Sequence, residues 1–474
     1  MIRRLSLAAV LLCAQGAAAW DAPDPFGTAS RVPQSREKDL VPPSKASAPC
    51  SFGALGSPLG LVETVERALC NNPQTKKAWA NARAQAAQLG SNEAAYLPTL
   101  NGTLIDNNVH LRATVDGFPE QDVAAHTRPF IRNLTLGYVL YDFGLRSANL
   151  ENGEQQLIAA NANHDVTLQN VFMAAAQAFY DTQAAGGALQ SALDAENTAR
   201  GSWQAAQARY EARVSTLADK LQAQTAYSQA ILNRIQAEGS VKSALGTLAI
   251  AMGLNANTPV NLEKGGAPLP GTEFVRSVDA LISEAQQKHP TLAVARAQLE
   301  ASRAQAKAAL AAGLPTISLT ATHLANTQYL AQPGTTMTTT NTVGISLSLP
   351  LFEGFNRVYQ VRSAQAQVEV SEANLASSEL QVTLDVWTSY QALMTATESL
   401  KSTGDLLESA RESFRVAQGR YKARVGDILE LLNAQAALAS ADQQRVQALS
   451  TWQTARLKLL QGLGRVGFWA ISPP

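Results

Sequence analysis

The chain reads YLPTL at residues 96–100 and GLPTI at residues 313–317, so that a shared Leu-Pro-Thr recurs after 217 positions. Further along, RYEARV at residues 209–214 is matched by RYKARV at residues 420–425 after 211 positions. A similarity of this period indicates a duplicated structural unit rather than a short solenoid repeat. The sequence therefore predicts two internal repeats, the second with one shorter loop, and favours a pseudo-symmetric assembly over an enzyme.

The composition excludes several classes of function. The 474 residues carry 38 Lys and Arg against 38 Asp and Glu, whereas a nucleic-acid footprint requires a basic excess. The histidines have no metal-ligand spacing, and we find no phosphate-binding loop, nucleophile elbow or zinc-protease motif. We therefore expect no enzyme, no cofactor, no resident metal and no nucleic-acid partner. The histidines are His110, His126, His164, His289 and His323.

The N-terminus has the pattern of a secretory signal peptide. Two arginines precede an apolar stretch, and Ala17-Ala18-Ala19 follows as a small-residue cleavage site. A lipoprotein acylated at Cys13 is the weaker alternative, because Leu12 stands where a small residue is required. The absence of a later run of about 18 apolar residues predicts no transmembrane helix. An exported chain of this kind is periplasmic, secreted or an outer-membrane β-barrel.

Two cysteines remain in the predicted mature chain, Cys50 and Cys70. An exported protein enters an oxidising compartment, in which a disulfide between them is favourable. Two cysteines near one terminus also fit two unpaired thiols, with Cys70 as a small buried residue. The sequence leaves both interpretations open.

The predicted domains follow from the repeat. Each repeat contains a helix, a pair of strands and a long helical hairpin, and a Pro- and Ser-rich arm precedes the first one. The predicted domains are a signal peptide at 1–19, the N-terminal arm at 20–58, the first repeat at 59–254, a linker at 255–273, the second repeat at 274–464 and a C-terminal tail at 465–474.

Two stretches of each repeat have the period of β-strands. In the second repeat Val343, Ile345, Leu347, Leu349 and Leu351 alternate with small or polar residues. One apolar and one polar face indicate a strand and match the lipid-out, lumen-in pattern of barrel strands. We predict strands at 99–113 and 130–142 in the first repeat and at 315–330 and 340–352 in the second.

Long helices follow each strand pair. Leu168, Phe172, Ala175 and Phe179 step by four, three and four residues, which places them on one face of a helix. Four strands are too few to close a transmembrane barrel alone, whereas three chains give twelve. The predicted helices lie at 59–95 with a restart at Pro73, 144–212, up to about 254, 274–312, 354–423 and 427–463.

With these elements in order, the chain resembles the TolC-type outer-membrane efflux protein family over residues 59–464. The resemblance rests on the Leu-Pro strand entries at Pro98 and Pro315, on the strand exits YDFG at 141–144 and FEG at 352–354, and on the repeated Arg-Tyr-x-Ala-x-Val. Within the family the chain is most similar to the outer-membrane components of type I secretion systems.

The resemblance implies a mixed α+β membrane protein. Its expected form is a homotrimer with a 12-stranded β-barrel in the outer membrane, four strands per chain, in contact with outer-membrane lipid. A long α-helical barrel continues it into the periplasm of a Gram-negative cell. Family members are passive ducts that dock onto a periplasmic adaptor protein and an inner-membrane ABC exporter or proton-driven pump.

The resemblance also implies a periplasmic gate at the hairpin tips. The positions that match the family's acidic ring are Asp219 and Glu430, each nine residues after a repeated tyrosine, Tyr210 or Tyr421. Six carboxylates from three chains would repel one another and attract cations in a narrow mouth. The alternative is that each acid is a solvated residue near a helix turn. Asn433 replaces a further acid found in some members, which puts a second carboxylate ring in doubt.

Arg213 and Arg424 stand where family members often carry glycine. Because arginine can hold a carboxylate through two hydrogen bonds, these side chains are candidates for a lock between neighbouring hairpins. They also fit the C-terminal ends of their helices, where a positive charge complements the helix dipole. Both interpretations stay open.

The sequence therefore favours the outer-membrane exit duct of a tripartite export system, with secretion of a protein such as a toxin as the first expectation. The alternative is an outer-membrane channel of a multidrug or metal efflux pump. A periplasmic coiled-coil structural protein is more remote, because it has no need of strands with one apolar face. The cargo is not encoded in any feature of the sequence.

Overall fold

The computed structural model describes residues 24–32, 52, 58–114, 116–118, 123–263, 277–330 and 335–471. Eight long helices and five strands follow one another in these ranges. They are α1 (Leu61–Asn71), α2 (Pro73–Ala94), β1 (Thr99–Asp106), β2 (Val109–Ala113), β3 (Val123–Tyr141), α3 (Leu145–Glu211), α4 (Leu217–Ala251), α5 (Val278–Lys288), α6 (Pro290–Ala311), β4 (Thr316–Leu330), β5 (Thr335–Ser348), α7 (Asn356–Lys422) and α8 (Ile428–Gly462).

Helices at equivalent places in the two halves have equal lengths. Helices α1 and α5 have 11 residues each, and α2 and α6 have 22. The hairpin helices α3 and α7 have 67 residues, and their partners α4 and α8 have 35. At about 1.5 Å per residue, a 67-residue helix is roughly 100 Å long. No described helix combines the length and the apolar character that crossing a membrane requires.

The chain divides into two compact units. The first contains the sheet and the helical segments next to it, within Ala82–Ala159 and Arg296–Ala373. The second contains the remaining helices with both hairpin tips, within Gln34–Asn81, Ala160–Ala295 and Asn374–Pro474.

The sheet of the first unit is antiparallel, with the order β1-β3-β4-β5 and with β2 also paired to β3. Strands β1 and β2 thus share one position beside β3, so the sheet has four positions, as the sequence predicted. The interruption between them at Asn107 lies opposite Pro129, whose carbonyl accepts the Asn107 N–H at 3.1 Å. Proline has no N–H to return that bond, which explains why the ladder breaks there.

The exposed face of the outer strand β5 is apolar. Val343 is 75% exposed, and Ile345 and Leu347 on the same face are exposed as well. These residues lie opposite Ala321, Leu319 and Ile317 of β4, so the face continues across strands. A contiguous apolar surface of this kind requires an apolar environment or a partner.

Several predicted boundaries are wrong. Strand β3 begins at Val123 rather than at 130, and β5 spans Thr335–Ser348 rather than 340–352. Leu349 and Leu351 therefore lie beyond the strand, because Pro350 cannot donate to the ladder. The predicted helix at 274–312 is two helices, α5 and α6, since Pro290 cannot continue the preceding helix.

The core of the second unit contains the predicted helical stripe. Leu168, Phe172, Ala175 and Phe179 of α3 are all buried in one cluster with residues of α1 and α4 and the chain end. The Phe172 ring packs edge-on against Phe468 with centroids 5.7 Å apart. The 3.6-residue period thus identified the buried face correctly.

Candidate gate at the helical hairpin tips

The turn that joins α3 to α4 has a defined hydrogen-bonded geometry. The Val214 N–H donates to the Arg209 carbonyl at 2.9 Å, and the Arg213 N–H donates to the Tyr210 carbonyl at 2.9 Å. Arg213 has a left-handed backbone with φ 57°. Together these are the features of a Schellman motif, in which the left-handed residue terminates the helix.

The turn that joins α7 to α8 repeats this geometry. The Val425 N–H donates to Arg420 at 3.0 Å, the Arg424 N–H donates to Tyr421 at 3.3 Å, and Arg424 has φ 63°. The left-handed position favours glycine, because a side chain there meets the following carbonyl. The geometry thus identifies both arginines as helix-terminating residues.

The two candidate gate acids are held by their own hairpins. Asp219 accepts the backbone N–H of Thr216 at 3.1 Å and donates its own N–H to the Thr216 hydroxyl at 3.2 Å, which forms a capping box. The Glu430 N–H donates to Asp427 at 2.7 Å, and Arg420 approaches the Glu430 carboxylate at 3.2 Å. Within the chain, the ion pair of Glu430 is therefore with Arg420. The predicted lock between neighbouring hairpins through Arg213 and Arg424 stays a prediction.

The two repeated tyrosines have different environments. Tyr421 is 6% exposed and packs with Ala206, Ile428 and other residues of both hairpins. The Arg209 guanidinium lies 4.1 Å from the centre of the Tyr421 ring and donates to its carbonyl oxygen at 2.8 Å. Tyr210 is 37% exposed, and the Lys220 ammonium lies 5.4 Å from its ring. Arg209 thus joins the two hairpins within one chain.

Sequence reasoning missed three residues of this region: Arg209, Arg420 and Thr216. The sequence shows the Arg-Tyr pair as repeated, but the resemblance assigns a role only to the tyrosine. The capping box can be predicted from the sequence, because its pattern is a threonine three residues before an acid at the start of a helix. The crossing of Arg209 to the other hairpin depends on tertiary placement, which no local pattern reports.

Both tips present exposed apolar side chains. Val214, Leu217 and Leu221 are exposed at the first tip, and Val425 and Leu429 are exposed at the second. Val214 and Val425 stand at corresponding places in the two turns, and each has an exposed leucine nearby. Such side chains form a surface that another apolar surface can cover.

Above the first tip, α3 and α4 are held together by an ionic and aromatic cluster. The buried carboxylate of Glu196 accepts hydrogen bonds from Arg234 at 2.5 Å and Arg200 at 2.7 Å. Arg200 also donates to the Tyr227 hydroxyl at 3.2 Å, and the Tyr227 ring stacks on Trp203 with centroids 5.6 Å apart. The hydrogen bond from Arg234, assisted by Arg200, holds the pKa of Glu196 below its ordinary value although burial opposes this.

The second hairpin uses apolar packing at the corresponding place. Leu407 and Leu438 stand 211 positions after Glu196 and Tyr227, and they pack with Ala410 and Ala441. The two hairpins therefore keep the same length and the same turn while the contacts between their helices differ.

The other candidate residues are not part of this region. Cys70 is disulfide-bonded, and Cys50 lies outside the described residues, so the predicted pairing stays a prediction. Among the residues that the structure describes, no group of three or more His, Cys, Asp or Glu side chains could hold a metal ion.

Comparison with known proteins places the chain among outer-membrane channels. The model of the family described as "Outer membrane efflux protein" matches residues 64–254 and 281–465. Protein CyaE of Bordetella pertussis is 32% identical over 410 residues, covering 86% of this chain and 85% of the relative. The alkaline protease secretion protein AprF of Pseudomonas aeruginosa is 24% identical over 417 residues, with 85% of each covered. The solved structure of the Campylobacter jejuni CmeC outer membrane channel matches with TM-score 0.76 at 17% identity, over 85% of each chain.

The Glu196 cluster predicts a pH dependence of the first hairpin. A carboxylate with a lowered folded-state pKa contributes stability that is complete above its ordinary pKa of 4.5. This contribution is lost as the pH falls below that value and through the lowered pKa. The protection factors of the amides around Glu196 and Arg234, corrected for the intrinsic pH dependence of hydrogen exchange, should therefore fall more between pH 6 and pH 3 than those around Leu407 and Leu438.

The matched variant is Glu196→Gln, which keeps the shape but removes the titration. In this variant the pH dependence of amide protection should be similar in the two hairpins. An equal loss of protection in both hairpins of the unmodified protein would show that the cluster does not stabilise the first one.

The left-handed arginines predict a gain in stability from glycine. Replacing Arg213 and Arg424 by glycine removes a backbone cost of about 1 kcal/mol per site, partly offset by the greater freedom of glycine in the unfolded chain. Hydrogen exchange of the tip amides should become slower. Lys422→Gly is the control, because Lys422 is exposed in the last turn of α7, where glycine is unfavourable. Faster exchange in the Arg→Gly variant would show that the arginine side chains stabilise the turns.

Proposed function

Because the chain belongs to the outer membrane efflux protein family, we propose that three copies of it form the exit duct of a tripartite export system. The family expectation from the sequence is confirmed, and with it the location in the outer membrane with extension into the periplasm. The observation that supports the proposed assembly is the sheet, which ends at β1/β2 on one side and at β5 on the other.

The unpaired edges of that sheet support the proposed trimer. Strands in a membrane must satisfy their backbone N–H and C=O groups, and only a closed barrel leaves none at an edge. Four positions lie below the roughly eight strands of the smallest transmembrane barrels, whereas three copies supply twelve. The exposed apolar face around Val343, Ile345 and Leu347 then faces outer-membrane lipid.

The domain organisation belongs to the same proposal. Residues 59–254 and 274–464 are two copies of one unit, separated by a linker at 255–273. Two observations support this: the equal lengths of the paired helices, and the family model's match to two separate segments. Six hairpins from three chains then surround one periplasmic passage.

The proposed partners act at the hairpin tips. A periplasmic adaptor protein covers the apolar side chains of both turns, including Val214 and Val425, and an inner-membrane transporter supplies the energy. An ABC exporter is the proposed transporter, in a type I secretion system. A relative whose name states secretion of a protease, AprF, supports protein cargo, and the similarity to CyaE accords with it.

The second candidate cargo is a drug, metal ion or solvent, carried with a proton-driven pump. The family description as efflux protein favours it. A periplasmic coiled-coil protein with no membrane role accounts poorly for the exposed apolar strand face.

We assign the periplasmic gate to the tip acids. Three copies bring six carboxylates, from Asp219 and Glu430, to the narrow end of the passage, where they attract cations. Their mutual repulsion is offset in part by the hydrogen bonds and the ion pair that each chain supplies. Arg213 and Arg424 contribute through the shape of the turns that present the acids, and Tyr210 and Tyr421 through the packing of those turns.

The test is single-channel recording in planar bilayers. Asp219→Asn together with Glu430→Gln removes both charges. The amide oxygen at position 219 can still accept the capping hydrogen bond from Thr216, and the amide oxygen at position 430 can still accept from Arg420. We expect the unmodified protein to form cation-selective channels that divalent cations block. The double variant should lose most of that selectivity and block, because the carboxylates that attract the cations are gone.

Asp194→Ala together with Asp405→Ala is the matched control. These acids are exposed on α3 and α7, also 211 positions apart, but more than three helical turns before the tips. They should leave selectivity and block unchanged. A protein that forms no channel would contradict the duct. Equal selectivity and block in the Asp219/Glu430 variant and the unmodified protein would place the gate elsewhere.

A further inference from the structure

We propose that Arg420 of one copy packs its guanidinium on the Tyr210 ring of the neighbouring copy. This contact between copies would reproduce the contact that Arg209 makes with Tyr421 inside each chain. The inference rests on the proposed trimer, and it assigns the residues that close the tips where one chain meets the next.

The contact within the chain sets the geometry. Arg209 lies next to Tyr210 in sequence but does not pack on its ring. It reaches from the end of α3 to the end of α7, with its guanidinium 4.1 Å from the Tyr421 ring centre and a hydrogen bond of 2.8 Å to the Tyr421 carbonyl. A guanidinium within about 6 Å of an aromatic ring is attracted by the negative face of the ring. The contact between Arg209 and Tyr421 thereby joins the first hairpin to the second.

The second hairpin carries the same pair of residues in the same backbone setting. Arg420 and Tyr421 follow Arg209 and Tyr210 by 211 positions, and both pairs supply the carbonyls that accept the Schellman hydrogen bonds. Their side chains consequently leave equivalent turns of equivalent helices. Within its own chain Arg420 contacts the Glu430 carboxylate and the Val425 carbonyl oxygen, the latter at 3.5 Å. It nevertheless occupies the place in the repeat from which Arg209 reaches Tyr421.

A ring of three chains alternates first and second hairpins. At three of its six boundaries, a first hairpin meets the second hairpin of the same chain, and Arg209 and Tyr421 occupy that contact. At the other three, a second hairpin meets the first hairpin of the next chain. Pseudo-symmetry places Arg420 and the neighbour's Tyr210 at those boundaries.

Tyr210 and Arg420 are both partly exposed, as two residues that meet a neighbouring copy must be in a single chain. Tyr210 is 37% exposed, with the Lys220 ammonium 5.4 Å from its ring centre. Its counterpart Tyr421, which has Arg209 at 4.1 Å, is 6% exposed. The Arg420 side chain is 52% exposed, and its Nε lies 3.2 Å from the Glu430 carboxylate. A guanidinium held at its edge by a carboxylate still presents a flat face on which a ring can stack.

The proposed contact links the gate acid to the neighbouring chain. Glu430 holds Arg420 at its edge, and Arg420 holds the neighbour's Tyr210 with its face. Removal of any one of the three residues should therefore loosen the boundary between copies and leave the Arg209–Tyr421 boundary within each chain intact.

Paired cysteines test the geometry. Tyr210→Cys together with Arg420→Cys, treated with a short thiol-to-thiol crosslinker, should give covalent dimers and trimers on denaturing gels. Arg209→Cys together with Tyr421→Cys is the matched control and should crosslink within the chain, with no increase in mass. Each single-cysteine variant should stay monomeric on the same gels.

Two readouts separate this inference from the proposed function. Native mass measurement of the same detergent-extracted samples reports whether trimers exist. Trimers in which the 209–421 pair crosslinks and the 210–420 pair does not would overturn the inference and leave the duct standing. Monomers would overturn both.

A ring-preserving substitution tests the chemistry of the contact. Tyr210→Phe keeps the aromatic face and should keep the closed-state conductance of the unmodified channel in planar bilayers. Tyr210→Leu removes the face and should raise that conductance. Equal conductance in all three proteins would show that no guanidinium–ring contact holds the tips closed.

Discussion

Backbone hydrogen bonding at the edges of one sheet is the constraint on which the rest of this structure depends. Strands β3 and β4 are paired on both sides, but β1, β2 and β5 have partners on one side only. An unpaired edge in a membrane costs several kcal/mol for each unsatisfied group, so the chain cannot insert alone in this form. The exposed apolar side chains around Val343 and Ile345 also require an apolar environment or a partner.

The hairpin tips also require contacts between copies in the proposed trimer. Because each chain carries two hairpins with the same turn, the proposed trimer brings together six hairpin tips. Within a chain the two tips are joined by Arg209 on Tyr421, in a cluster with Ile428 and Leu431. Between chains the tips require equivalent contacts, and the acids Asp219 and Glu430 lie in the same turns. The contacts proposed to close the tips and the carboxylates proposed to form the gate therefore lie in the same two turns.

The sequence predicted the secondary structure well where a short-range periodicity of apolar residues defines it. Alternation identified four strand positions, and the 3.6-residue period identified the buried stripe of Leu168 and Phe172. It failed at strand ends: residues 335–340 are threonine-rich and lack alternation, yet pairing with β4 keeps them in the ladder. It left two roles open for Arg213 and Arg424, and their left-handed backbone, which the structure shows at the helix ends, is not visible in composition. Arg209 was missed because its partner is 212 residues away.

The most direct test of this account is hydrogen exchange of the edge strand β5 in the protein extracted from outer membranes. If neighbouring copies close the sheet, the amides of Thr335–Ser348 should exchange as slowly as those of the central strand β4, Thr316–Leu330. An edge that stays open would exchange much faster than β4 while β4 remains protected. That result would contradict closure by association.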